Sequence, residues 1–500
     1  MNHGLILPIL LPMFAGSLLL VRSYLSLRAK RVLSLLVTWA LLPISVWLLM
    51  QANSGELQLY ALGNWQAPFG IVLMLDRLAA LMLVVTAVLA GFAMLYAVRG
   101  DDERGPNFHA LFQFQLLGIN GAFLTGDLFN LFVFFEILLI ASYSLLVYGG
   151  GAPRVKTGVH YVVLNLVASS LFLIGIGILY GLLGTLNMAD LALKIGQAEI
   201  ERQPLLAAAG FLLLIVFGLK AAVLPLYFWL PSAYAAATAP VAALFAIMTK
   251  VGLYAIIRVF TLLFGNQAGE LAHLVDELLW PIAMLTLAAG VIGALAVRSL
   301  ERLIGYLVIV SVGTLLAGIA LATADSLSGA LFYLIHSSWI CGALFLLADL
   351  VARQRGELRG RLRTGAPLTN PLLLGAIFFI AAVSVAGLPP FPGFLGKMML
   401  LRAAGAGQQA LELWPVVLVG GLGMLVALSR AGSVLFWRTA DEPASQARLD
   451  RVRTLAAVGL LACSPLLVVA AQPVYAYTQA TAQQLLDVGA YLQLVRGGGA

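Results

Sequence analysis

The chain has 500 residues, of which 62% are hydrophobic and only 10% charged, with a formal net charge of +7. Apolar runs of 18 or more residues recur along its length, which excludes an ordinary soluble core and marks an all-α polytopic membrane protein. The basic excess lies in short loops between those runs, so it reads as topology signal rather than as a nucleic-acid surface. Cys341 and Cys463 both fall inside apolar runs, where neither a disulfide framework nor a thiolate metal site is expected.

Fourteen spans are expected in chain order: 4–21, 33–50, 70–98, 109–125, 128–148, 160–183, 205–236, 240–263, 275–296, 302–323, 327–351, 373–404, 413–438 and 454–471. The first run is preceded by no charge and followed by Arg22, Arg28, Lys30 and Arg31. A cleaved signal peptide has its charges on the other side, so the run reads as a retained span. Placing the 22–32 loop in the cytoplasm puts nineteen Lys and Arg residues on that side and four, Lys194, Arg202, Arg402 and Arg496, on the other. That bias predicts a multi-pass protein of the bacterial cytoplasmic membrane with both termini outside. The longest polar stretches, 184–204, 352–372 and 439–453, are too short for a soluble domain.

Six basic residues fall within spans: Arg77, Lys220, Lys250, Arg258, Lys397 and Arg430. A charge at the bilayer centre costs about 2.5–3.5 kcal/mol. Arg77, Arg258, Arg430 and Asp349 are expected to snorkel to an interface or to pair locally, as adjacent Asp76 and Arg77 do in the simplest reading. Glu136, in FFEILLIASYSLL, and Lys220, Lys250 and Lys397 are deeper. A set of ion pairs that only fixes helix packing is the plain alternative, but one carboxylate does not neutralise three ammoniums. A buried lysine that exchanges between charged and neutral forms is a proton-relay element.

Proline marks where the backbone opens. Pro225 interrupts the seventh span, and Pro389, Pro390 and Pro392 interrupt the twelfth. Broken backbone at membrane depth is tolerated where it is buried in protein or lines a wet cavity. Two broken helices five spans apart, each with a lysine near its break, predict two inverted five-helix repeats, spans 4–8 and 9–13. The chain then divides into 1–108 (helices 1–3), 109–263 (first repeat), 275–438 (second repeat) and 454–500 (helix 14 and tail). His336, in LIHSSWICGALF, has a side chain that titrates near neutrality and suits a relay, although a hydrogen-bonded packing role fits it equally. Asn165, Ser169 and Ser170 on the sixth span either line a water wire or bond between helices. GFLGKMM lacks the spacing of a P-loop, and no zinc-protease, haem or Cys-cluster pattern occurs, so no cofactor and no metal are expected.

Taken together, FEILLIASYSLL, FGLKAAVLPLYFWLPSAYAAATAPVAALFAIMTKVGLYAIIRVF, IHSSWICGALFLLADL and GLPPFPGFLGKMMLL make the chain resemble a known family along nearly its whole length. This is the antiporter-like family shared by respiratory complex I membrane subunits and Mrp-type multisubunit cation/proton antiporters. LYGLLGTLNMADLA at 179–192 and the lysine at 397 point to the Mrp D-subunit branch. The resemblance implies a Glu–Lys pair at Glu136 and Lys220, a central relay lysine at Lys250 and a terminal one at Lys397. His336 would lie between the last two. Cys341 stands where many members have a lysine, so any relay step there is expected to pass to His336. The resemblance further implies exchange of cytoplasmic Na+ (or K+ or Li+) for external H+, driven by the proton-motive force, in a complex with A/B, C, E, F and G subunits. A redox-driven proton pump of complex I or a membrane-bound hydrogenase is the alternative, and a non-transporting scaffold is a third reading.

Overall fold

The computed structural model describes residues 2–21, 25–65, 69–440, 443 and 447–497. Arg22 and the side chain of Arg496, both used in the charge count, lie outside the described residues. Apolar residues around the whole circumference of most segments leave helices that are buried against one another or face lipid. In chain order these are α1 (Leu7–Val21), α2 (Leu27–Ala52), α3 (Arg77–Ala97), α4 (Phe108–Leu124), α5 (Leu128–Val147), α6 (Ala152–Leu183), α7 (Met188–Gly196) and α8 (Gln203–Ala221). They continue with α9 (Leu230–Ala236), α10 (Ala239–Phe245), α11 (Met248–Leu262), α12 (Asp276–Ala296), α13 (Leu300–Ala320), α14 (Ala324–Gln354) and α15 (Pro371–Ala386). The chain closes with α16 (Pro392–Ala403), α17 (Gln408–Gly432), α18 (Arg451–Val469), α19 (Ala471–Leu486) and α20 (Gly489–Gly497).

Among the described residues, twelve helices are long and apolar enough to cross a membrane, with α10 and α11 counted together. They match twelve of the fourteen expected spans. The other two correspond to α4, whose interior carries Gln113, Gln115 and Asn120, and to the broken pair α15–α16. Ala239–Leu262 is wholly buried, and α13 and α14 are 94% buried over their most apolar stretch, against 28% for α2 and 33% for α17. The inner helices are therefore α10, α11, α13 and α14, and α14 packs against α3, α13, α15, α16, α18 and α19. Lys250 and His336 lie on these inner helices, as far from lipid as the bundle allows.

The structure departs from the expected spans in several places. The third span starts at Arg77 rather than at 70, because the Asp76 carboxylate accepts from the Ala79 N–H and fixes the helix start there. The apolar residues before it form β2 (Val72–Leu75), antiparallel to β1 (Gln58–Ala61), with Gln58 opposite Leu75 and Ala61 opposite Val72. The polar 184–204 stretch contains α7, capped by Asn187. The tail is helical over Ala471–Leu486 and Gly489–Gly497, with α19 packed on α14 and α11.

Candidate functional site

The seventh span is divided into α8 and α9. Helix α8 ends at Ala222, which takes the left-handed conformation (φ 60°), and the Leu224–Pro225 peptide that follows is cis. Here the Val223 N–H returns to the Gly218 carbonyl at 2.8 Å, closing the helix end. The Trp229 indole donates to the Leu219 carbonyl at 3.2 Å, and the Leu224 N–H finds Thr286 Oγ1 on α12 at 3.1 Å. The break therefore leaves few orphan groups. Lys220 lies in the last turn before it and is only 8% exposed.

Lys220 Nζ donates to Asn165 Oδ1 of α6 at 3.2 Å and stands 5.9 Å from the centre of the Phe135 ring. Glu136, half-buried on α5, accepts a short hydrogen bond from Ser169 Oγ, also on α6. Among the described residues no Glu136–Lys220 ion pair forms within 4.0 Å, and the two side chains meet through α6 instead. Asn165 and Ser169 are one helical turn apart and face the same way. They hold the carboxylate and the ammonium at neighbouring stations of one helix. Ser170 points elsewhere, to the Leu166 carbonyl. Glu136 sits beside the outward apolar residues Phe129, Val133 and Ile140 of α5.

A cavity of about 10 Å³, room for about one water, lies against Lys220 and is floored by Met248, Val251 and Gly252 of α11. Gly252 is where α8 crosses closely: a Cβ there would stand 2.6 Å from the Ala221 nitrogen. That small residue lets the Lys220 helix approach the Lys250 helix.

Lys250 is fully buried, and its Nζ donates to Ser311 Oγ of α13 at 2.9 Å. It begins a helix that has just been interrupted. Between α10 and α11 the N–H groups of Ala246, Ile247 and Lys250 bond three residues back rather than four. This tightening has no proline or glycine and was not anticipated. Cys341, on α14, is buried; the next residue, Gly342, packs toward the Ala243 carbonyl of α10.

His336, 1% exposed on α14, places Nδ1 3.3 Å from Ser464 Oγ of α18, which lies 2.8 Å from Ser384 Oγ of α15. Its Nε2 is buried without a hydrogen-bond partner among the described residues and faces Gly393 of α16. Two residues beyond Ser384, the Ala386 carbonyl accepts from Lys397 Nζ at 2.8 Å. Lys397, 7% exposed, thus reaches back from α16 to the end of α15, where Gly387 supplies the left-handed cap (φ 85°). Ser311, Ser384 and Ser464 were not singled out from sequence, because a serine in a span bonds its own helix as readily as a neighbour's group.

Of the shallower charges, Asp349 pairs locally and Arg430 stays exposed, as expected, whereas Asp76 and Arg258 differ. Asp76 pairs not with Arg77 but with Arg258 Nη2, at 2.6 Å and with both side chains buried. Arg258 therefore does not snorkel; it lies over the Tyr254 and Tyr491 rings. Arg77 donates to the Asn53 carbonyl, Asp349 pairs with Arg353 at 2.6 Å, and Arg430 donates to the Val297 carbonyl.

A membrane bundle that buries three lysines, two of them beside broken helices and one behind a tightened turn, belongs to the class of ion-translocating proteins. Comparison with known proteins narrows that class. The chain belongs to the family described as NADH:quinone oxidoreductase/Mrp antiporter, TM, which matches residues 125–423. It is 42% identical to the D subunit of a probable K(+)/H(+) antiporter of Rhizobium meliloti, over 97% of this chain and 96% of that protein. It is 39% identical to the D subunit of the Na(+)/H(+) antiporter of Bacillus subtilis, over 99% of both. Among solved structures, a chain of the Mrp complex from Dietzia superposes with a TM-score of 0.88 at 26% identity, covering 99% of this chain and all of the other. A chain of respiratory complex I from Thermus thermophilus, at 22% identity and a TM-score of 0.79 over 96% of this chain and 99% of the other, shares the fold.

Proposed function

We propose that this protein is the D-type subunit of a multisubunit monovalent cation/proton antiporter, driven by the proton-motive force, and that protons cross through its buried interior. It works beside other Mrp-type subunits and is a secondary transporter rather than an enzyme. The observation that carries this reading is the row of buried stations Lys220, Lys250, His336 and Lys397, each hydrogen-bonded to a neutral partner or carbonyl rather than to a carboxylate within 4.0 Å. Full-length relatives named as antiporter D subunits support it, whereas the likeness to complex I is one of fold.

In this mechanism Glu136 and Lys220 switch one another through α6. With Ser169 and Asn165 engaged, the carboxylate stabilises the ammonium across one helical turn. When that link opens, Lys220 loses support and passes its proton through the adjacent small cavity toward Lys250. From Lys250 the route follows Ser311, then His336 with Ser464 and Ser384, and ends at Lys397. The fourteen-span topology with both termini outside, and the two inverted repeats over 109–263 and 275–438, frame this route. Both breaks follow one plan, a left-handed residue three positions before a proline: Ala222 and Pro225, Gly387 and Pro390. The lysines are placed differently within that plan, Lys220 before its break and Lys397 after.

The test is fluorescence-monitored exchange in everted vesicles from cells without native antiporters, expressing the whole operon. Lys220→Ala is expected to abolish exchange while the complex still assembles. Exchange at the wild-type rate would reject the reading, and a complex that fails to assemble would favour the scaffold.

A further inference from the structure

We propose that an arginine-walled cavity beside α6, α9 and α13 binds the phosphate-bearing headgroup of an anionic membrane lipid. The cavity measures about 790 Å³ and lies between the start of α6, the end of α9, the start of α13 and the loop 359–363. All these segments belong to the side that the charge bias assigns to the cytoplasm.

Its wall carries Arg154, Arg298, Arg302, Arg359, Arg361 and Arg363, with Arg104 at the edge and Glu301 as the single acid. Arg104 is neutralised by Asp101 at 2.6 Å. Among the described residues none of the other six has a carboxylate within 4.0 Å, and Arg154 instead donates to the carbonyls of Ala236 and Tyr148. Six guanidinium groups against one carboxylate leave a net-positive cluster of planar donors, the geometry that binds phosphate through paired hydrogen bonds.

The cluster is held in place by its own framework. Arg355, 8% exposed, donates to the carbonyls of Arg359, Arg361 and Arg363. With those three carbonyls drawn inward, the three side chains stand exposed. The loop also pairs with the segment before α13: the Leu300 N–H bonds the Gly360 carbonyl at 2.8 Å, and the Leu362 N–H bonds the Arg298 carbonyl at 2.9 Å. That ladder sets Arg298 and Arg302 alongside the loop arginines.

A membrane lipid, rather than a free anion, fits because the cavity is built from the ends of membrane-spanning helices, at the level where lipid headgroups lie. Each arginine near a headgroup plane contributes roughly a fivefold gain in affinity.

The test uses the purified whole complex, stripped of lipid and offered phosphatidylglycerol or phosphatidylcholine, with retained lipid read by native mass spectrometry. The triple variant Arg298→Gln, Arg302→Gln, Arg361→Gln is compared with wild type and with the matching lysine variant, which keeps the charge. The expected result is phosphatidylglycerol retention that falls more than about tenfold in the glutamine variant, falls less in the lysine variant, and is not reproduced by phosphatidylcholine. Subunit composition and melting temperature report that each variant is intact. Equal retention in wild type and glutamine variant overturns the proposal. So does displacement of the lipid by millimolar inorganic phosphate, which would make this a free-anion site. Loss of a partner subunit with lipid retention unchanged also overturns it, in favour of an acidic protein segment. Retention is read without exchange, so the outcome is independent of the proton route.

Discussion

Lys397 Nζ bonds the Ala386 carbonyl at 2.8 Å across the gap between two half-helices. The equivalent end of α8 is closed by an uncharged group, the Trp229 indole on the Leu219 carbonyl. A cation at the carbonyl end of a helix is favoured by the helix dipole as well as by the hydrogen bond. Lys397 therefore has a resting site that needs no carboxylate, and Lys220 relies on α6 instead. Lys397→Met is expected to abolish exchange and to leave the Ala386 carbonyl unpaired, at a cost of about 1–3 kcal/mol. Exchange assays and thermal unfolding of the purified complex read the two effects separately. Normal exchange with a lowered melting temperature would make Lys397 a cap and nothing more.

The link through α6 predicts non-additivity. Ser169→Ala removes the hydroxyl that donates to Glu136, and Asn165→Ala removes the acceptor of Lys220. If the two bonds report one coupled switch, the double variant loses little more activity than the worse single variant. The interaction energy then falls in the range of about 0.5–3 kcal/mol found for residues in one network. Exchange rates of the four proteins in the same vesicles give the cycle, and strictly additive losses would uncouple Glu136 from Lys220.

What sequence made legible follows from how strongly each feature is forced. Lys220, Lys250 and Lys397 stand out because a lysine among leucines has few inexpensive explanations, and the two breaks stand out because proline removes a donor at a known position. The tightening at Ala246–Lys250 has no such marker: the residues FAIM extend a helix by every local preference, so tertiary packing decides. The β1–β2 hairpin was hidden because VLML is continuous with the third span, and short apolar runs do not distinguish strand from helix. Asp76 and Arg77 are neighbours in the chain, but adjacent residues on a helix point apart, and Arg258 meets the carboxylate instead. The tail was passed over because α19 is rich in Gln and Thr, and its helicity depends on packing against α14.

Asp76 and Arg258 give a prediction about stability rather than transport. Both side chains are buried, and the carboxylate also caps α3. Removing one partner of such a pair leaves an uncompensated buried charge, which costs about 3–5 kcal/mol. Arg258→Met is expected to lower the yield and melting temperature of the complex sharply. Asp76→Asn with Arg258→Met is expected to recover part of that loss, because asparagine still caps α3 and no lone charge remains. Melting curves of the purified complexes decide, and a double variant worse than both singles would contradict the pairing.

A second ionic centre, outside the spans, makes the complex sensitive to acid. Asp102, between α3 and α4, is buried and receives Arg31 through two nitrogens at 2.6 and 2.8 Å, with His109 Nε2 at 3.1 Å. Burial pulls its carboxyl upward, but the hydrogen bonds from Arg31 and His109 outweigh this and hold it at about 2, below the ordinary 3.8. A carboxyl depressed by folding contributes stability that is complete above its unfolded value and is lost as pH falls through the folded one. The window is therefore pH 3.8 down to about 2. Melting temperature of the wild-type complex, other groups aside, should be level above about pH 4 and fall through that window. Asp102→Asn should melt lower at neutral pH and show a flatter acid limb, so that the two curves converge. Parallel curves across the same range would mean that the Arg31–Asp102–His109 contact stabilises nothing in solution.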